Sequence, residues 1–158
     1  MVNDNNQSIE LSLEEIKTLV IRVFSNNGCD INNSNALAST ITAAERDGAS
    51  SHGLFRIPGY IASLVSKKVN GKSNPVVKNK TNIILECDAD NGFAPLALEK
   101  SLPALVNSAK NNGISTLSIK NCYHFAALWP ETEFLAKNGL VGIACTAYKP
   151  SVAPAGSK

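Results

Sequence analysis

The chain lacks most of what would mark a membrane, nucleic-acid or metal-binding protein. No apolar run approaches the roughly 18 to 20 residues needed to span a bilayer. The first residues, Met1 to Gln7, are polar and show no basic-then-apolar pattern, so no secretory signal is expected. Fifteen basic residues against thirteen acidic ones leave a net charge of +2, which makes no case for nucleic acid or a membrane surface as partner. The four cysteines, Cys29, Cys87, Cys122 and Cys145, are widely spaced, with no C-x-x-C and no histidine at zinc spacing. They read as free, mostly buried thiols of a cytoplasmic protein, and no metal site is expected. No Gly-x-Gly-x-x-Gly follows any candidate strand, so a Rossmann dinucleotide site has no support. There is no internal repeat.

What is present is an ordinary globular balance: 158 residues, 44% hydrophobic and 18% charged. That is one modest domain, or a small domain plus part of another, and enough to bury a core. Ser12 and Glu15 have capping-box spacing, and Ile16, Leu19, Val20, Val23 and Phe24 follow as one helical stripe that Asn26-Asn27-Gly28 ends. A second helix is predicted from near Asn33 or Ser34 toward Asp47, and a third over about 52–67 with Pro58 early in it. Asn70 to Pro75 is rich in turn residues and divides the chain into 1–74 and 75–158. Beyond it, strands are predicted at 82–87 and 114–119, a helix from about 94 to 112, a short helix near 126–137, and a buried strand at 140–146. Pro103 predicts a kink in the long helix or a later start for it. The tail from Lys149 onward has no reason of its own to be ordered. The fold class is α+β, a three-helix unit followed by a mixed β/α unit.

The stretch from Glu45 to Tyr60 is where chemistry-bearing side chains crowd together. Ser51 and His52 are adjacent, so they converge only in a turn or at a helix start, and Gly48 and Gly53 permit such a bend. His52 and Arg56 lie four apart and would share a face if a helix begins near Ser51. An imidazole able to give a proton beside a guanidinium able to grip a carboxylate suits a small acidic substrate. The residues also fit a plainer account, in which Ser51 caps a helix and His52 is an ordinary half-buried residue. A second group, Asn121 to Glu131, follows a predicted strand and leads into a predicted helix, an arrangement suited to an anion. Ala126 and Ala127 are small enough to let a ligand near the backbone. A helix start with aromatic packing accounts for the same residues.

The run from Arg46 to Tyr60 (Arg46-Asp47-Gly48-Ala49-Ser50-Ser51-His52-Gly53-Leu54-Phe55-Arg56-Ile57-Pro58-Gly59-Tyr60) resembles the signature of the malate/L-lactate dehydrogenase family that lacks a Rossmann fold. Within that family, His124-Phe125-Ala126-Ala127-Leu128-Trp129-Pro130-Glu131 is similar to the cofactor segment of the Δ1-piperideine-2-carboxylate/Δ1-pyrroline-2-carboxylate reductases. The malate and lactate branches more often have glycine after the aromatic residue and lack the Leu-Trp-Pro. The two motifs occur in the right order and spacing, and the likeness runs collinearly from about residue 12 to 158.

The resemblance implies His52 as proton donor, Ser51 as its hydrogen-bonded relay partner and Arg56 as the clamp for a substrate carboxylate. It implies His124, Phe125, Ala126, Ala127 and Leu128 as part of a non-Rossmann site for NADPH, with NADH possible in its place. It also implies a cytoplasmic homodimer at full length. Members of the family are about twice as long, and the aspartate that completes the Ser-His relay lies in the half without a counterpart here. Tyr148-Lys149-Pro150 departs from the usual small polar residues. Three readings stay open: the N-terminal part of an imino acid reductase or of a malate/L-lactate-type dehydrogenase, a shortened paralogue that binds without catalysis, and a helical module with coincidental motifs. Alone, the chain is expected to leave strand edges and apolar surface uncovered, and so to be unstable or to self-associate.

Overall fold

The computed structural model describes residues 9–147. Helix α1 spans Leu13–Asn26 and opens on the predicted capping box: Ser12 Oγ accepts from the Glu15 N–H, and the Glu15 carboxylate accepts from the Ser12 N–H at 2.8 Å. Helix α2 spans Ile31–Arg46. It begins earlier than predicted because Asp30, a strong cap, takes the Asn33 N–H at 2.8 Å. The helix predicted over 52–67 is shorter. Two 3-10 turns, Ser50–His52 and Leu54–Arg56, precede helix α3 at Ile57–Val65, whose first turn holds Pro58.

Strands β1 (Val76–Asn79) and β2 (Ile84–Asp88) form an antiparallel pair, and β3 (Thr116–Lys120) joins β2 in parallel. Parallel neighbours need a crossover, and helix α4, Ala94–Asn112, supplies it and covers one face of the sheet. It runs through Pro103 from Ala94, so the later start is overturned. Pro103 and Glu99 are both exposed, so the carbonyl that the proline leaves unpaired faces water. Gly113, at φ 82°, ends the helix in the left-handed conformation. Helix α5 covers Trp129–Lys137, three residues later than predicted.

The strand predicted at 140–146 is not formed. Among the described residues it has no sheet neighbour, and Val141 and Ile143 are 97% and 92% exposed. Its other face rests on α5, where a Cβ on Gly142 would lie 2.6 Å from Leu135 Cδ1. Alternating apolar residues make a strand only where the backbone pairs, and among the described residues this segment pairs with neither outer edge of the sheet. The tail from Tyr148 onward lies outside the described residues.

The first core gathers Ile16, Val20, Phe24, Leu37, Ile41, Tyr60 and Leu64 from the helices, and takes Phe93 from the loop before α4. Leu85, Leu102, Leu105, Val106 and Leu135 form the second, between sheet and helices. One polar tie crosses beneath the first core. Asn33, 1% exposed, donates to Asp30 Oδ1 at 2.9 Å and to the Ser73 carbonyl at 3.0 Å, and accepts from Ser73 Oγ at 2.8 Å. Removing a buried amide strands its partners, so Asn33→Ala is expected to cost about 2–4 kcal/mol in a urea melt, and Asn35→Ala, on the exposed face, only a few tenths.

Candidate active site

The two motifs distinguished in the sequence meet in space. His52 stands at the end of the first 3-10 turn, its Nδ1 3.0 Å from Ser51 Oγ. The turn holds because the His52 N–H donates to the Ala49 carbonyl at 2.8 Å and the Arg56 N–H to that of Gly53 at 3.0 Å. Arg56 does not share a helix face with His52, as i/i+4 spacing predicted. Its Nε instead donates to the Ser51 carbonyl at 2.7 Å, folding the guanidinium back over the turn. Gly53 leaves room for a side-chain bond: Glu45 Oε1 accepts from the Leu54 N–H at 2.6 Å, and a Cβ on residue 53 would displace that carboxylate.

From the other side, the segment after β3 is stitched to the turn before α4. The Tyr123 N–H donates to the Gly92 carbonyl and the Ala94 N–H to that of His124, both at 2.9 Å. His124 therefore reaches the helical unit, with its ring centroid 5.3 Å from that of Tyr60. Phe125 stacks on His124 at 5.4 Å with the planes 7° apart. Ala126 and Ala127 are buried, at 7% and 3% exposure, and Leu128 caps α5. The segment from His124 to Leu128 is thus a loop rather than a helix start. Trp129 packs edge-on against His52 at 5.5 Å, and Arg46 Nη2 lies 3.7 Å from Glu133 Oε2, so α5 is docked beside the turn.

Charge binds the group further. Burial, then the nearby Arg56, pushes the His52 imidazole below its ordinary value of 6.5. Burial, then Arg56 and His52, does the same to His124. Both histidines are thus held neutral in the fold and take up protons more readily once unfolded. Their contribution to stability is complete above about pH 6.5 and is lost as pH falls through that value. Glu131, raised by burial, works in the opposite sense, losing stability as pH rises. Stability of the wild type is expected to fall between about pH 7 and 5, and His124→Gln to flatten that slope, in denaturant titrations at each pH.

The motifs give Trp129 and Tyr60 no role, nor the adjoining Glu45. Only contacts spanning many residues reveal their part, except that Tyr60 follows Arg56 at i+4. An open groove of about 820 Å³ lies on the outer face of the sheet, lined by residues such as Lys78, Glu86, Asp88 and Lys120 and by none of the predicted site residues. Among the described residues, no group of three or more His, Cys, Asp or Glu is placed to hold a metal, and no helix is long and apolar enough to cross a membrane.

A family model described as malate/L-lactate dehydrogenase matches residues 11–158. The chain belongs to the malate/L-lactate dehydrogenase family. Among members of that family, it is 41% identical to the Delta(1)-pyrroline-2-carboxylate reductase 1 of Burkholderia ambifaria over 150 residues, which is 95% of this chain and 44% of that protein. The crystal structure of delta1-piperideine-2-carboxylate reductase from Pseudomonas syringae pv. tomato superposes with a TM-score of 0.81 at 39% identity, over 84% of this chain and 40% of that one. Malate dehydrogenase from Pyrococcus horikoshii, at 21% identity, 83% of this chain and 38% of that one, shares the fold with a TM-score of 0.75. The chain spans less than half the length of the relatives it matches. The α+β reading, a helical unit followed by a mixed β/α sheet unit of the non-Rossmann kind, holds.

Proposed function

We propose that this chain is the N-terminal portion of an NAD(P)H-dependent reductase acting on a small cyclic imino acid such as Δ1-piperideine-2-carboxylate or Δ1-pyrroline-2-carboxylate. The observation that carries the reading is the convergence of two distant motifs, with the His52 ring 5.5 Å from that of Trp129 and the His124 ring 5.3 Å from that of Tyr60. Residues 1–74 supply the acid and the clamp, and 75–158 supply one wall of the cofactor site. The full-length protein works in the cytoplasm as a homodimer.

Arg56 binds the substrate carboxylate through its terminal nitrogens, since only Nε is committed to the Ser51 carbonyl. Burial is the larger cause of the lowered imidazole value, but pairing that cation with an anion removes the Arg56 repulsion added to it, so substrate arrival raises the imidazole's proton affinity. His52 then gives its proton to the imine nitrogen, with Ser51 Oγ fixing the ring at Nδ1. NADPH, or NADH in its place, supplies the hydride when bound. The residues present fit a nicotinamide: the half-buried, nearly parallel stack of His124 and Phe125 offers a flat face, and His124, Phe125, Ala126, Ala127 and Leu128 would hold part of it.

The test is NADPH oxidation with Δ1-piperideine-2-carboxylate, followed for the chain alone and joined to the remaining part of a family reductase. Turnover by the joined form supports the reading. A larger rate with pyruvate would move the protein to the malate/lactate type. Thermal stabilisation by NADPH with no turnover in either form would leave a binding paralogue.

A further inference from the structure

We propose that Tyr60 is a positioning residue which, with the Ala126 backbone, holds His124 in the tautomer protonated at Nε2, so that the ring offers a neutral N–H donor to an oxygen acceptor on a bound ligand. The geometry at Nδ1 fixes the proton. The Ala126 N–H, which can only donate, points at Nδ1 from 2.9 Å, so that nitrogen carries a lone pair and not a hydrogen. The Tyr60 hydroxyl, 3.4 Å from the same atom, must then donate as well. It keeps its proton to do so, because burial pushes the phenol up to about 12 against the opposing pull of Arg56.

Tyr60 is itself packed into the core. It is 5% exposed, with its ring 4.9 Å from that of Phe93 and 6.3 Å from that of Phe24, at the junction of the helical unit and the loop before α4. Ala126 adds a second sign that the contact is enforced, since it is held at φ 63°, a conformation that alanine rarely adopts. Nε2 has no hydrogen-bond partner among the described residues, while Arg56 and His52 lie close enough to act on the ring. A protonated Nδ1 would face the Ala126 N–H, so the ring works as a donor without becoming a cation. The inference rests on the reductase reading only in taking the acceptor to belong to substrate or cofactor.

The chain has two histidines, so nitrogen-labelled histidine gives two ring systems, and His52→Gln assigns them. Long-range proton–nitrogen NMR of the wild type, without cofactor or substrate, is expected to give the Nε2–H pattern for His124 at neutral pH. Tyr60→Phe, checked for folding by its melting curve, leaves the Ala126 N–H in place and is expected to keep the Nε2–H tautomer while raising the pH at which His124 titrates. A wild-type Nδ1–H pattern, or a folded Tyr60→Phe variant whose His124 titration is unmoved, overturns the proposal. If that variant does not fold, the wild-type pattern still decides the tautomer. No turnover enters the measurement, so failure of the reductase assay leaves this result standing and the reverse holds too.

Discussion

In a reductase assembled around this chain, His52→Ala is expected to lower kcat/KM by about 10²- to 10⁴-fold, the range spanned by a positioned general acid. Most of that loss should fall on kcat, because the imidazole is proposed to act in the chemical step rather than in holding the substrate. His52 lies on a turn anchored by its own backbone bonds, and its side chain packs against Trp129 from outside the main core. Truncation therefore leaves the fold in place, and binding of NADPH followed by fluorescence should be unchanged. Ser51→Ala removes only the 3.0 Å contact at Nδ1 and is expected to give a smaller loss of the same kind. If His52→Ala retains full turnover, the acid lies elsewhere and the proposed mechanism is wrong.

Arg56→Ala is expected to lower kcat/KM by about 10- to 150-fold, consistent with about 1.5–3 kcal/mol for hydrogen bonds to a charged group. Here KM for the imino acid should rise, in contrast to the His52 variant. Arg56 also braces the turn through the Ser51 carbonyl, so alanine loosens the residues that carry the acid. Lysine separates the two roles: it keeps the charge but loses both the Nε contact and the bidentate grip. An Arg56→Lys variant should recover part of the affinity for the carboxylate and little of kcat. Steady-state kinetics with varied imino acid at saturating NADPH distinguish the cases. An unchanged KM in both variants would remove Arg56 as the clamp.

Helices that announce themselves by spacing and caps were legible in the sequence. The box at Ser12 and Glu15, and the span of α4 from Ala94 to Asn112, follow from residues only a few positions apart. What escaped depends on distant partners. The turn at Ser51–Arg56 replaces the first part of a predicted helix, and it is held in part by Glu45 reaching nine residues forward to the Leu54 N–H. β1 is four residues long, and only its pairing with β2 makes it a strand. The stretch after Gly139 has strand-like alternation and fails for the opposite reason, lacking a neighbour among the described residues. In the candidate site, the motifs identified Ser51, His52, Arg56 and His124 as residue types. They did not reveal that Tyr60 links the two groups across sixty-four positions of chain.

Phe93 gives the helical unit's interior a plug that arrives from the other side of the Asn70–Pro75 turn. Cutting the chain at that turn would open a void against Tyr60, whose ring lies 4.9 Å from that of Phe93. The helices are therefore not a detachable module: a polypeptide ending at residue 74 should behave as a loosened, dye-binding globule rather than a rigid bundle. Evolutionary reshuffling of this half onto another sheet would have to bring an aromatic of its own to fill the gap.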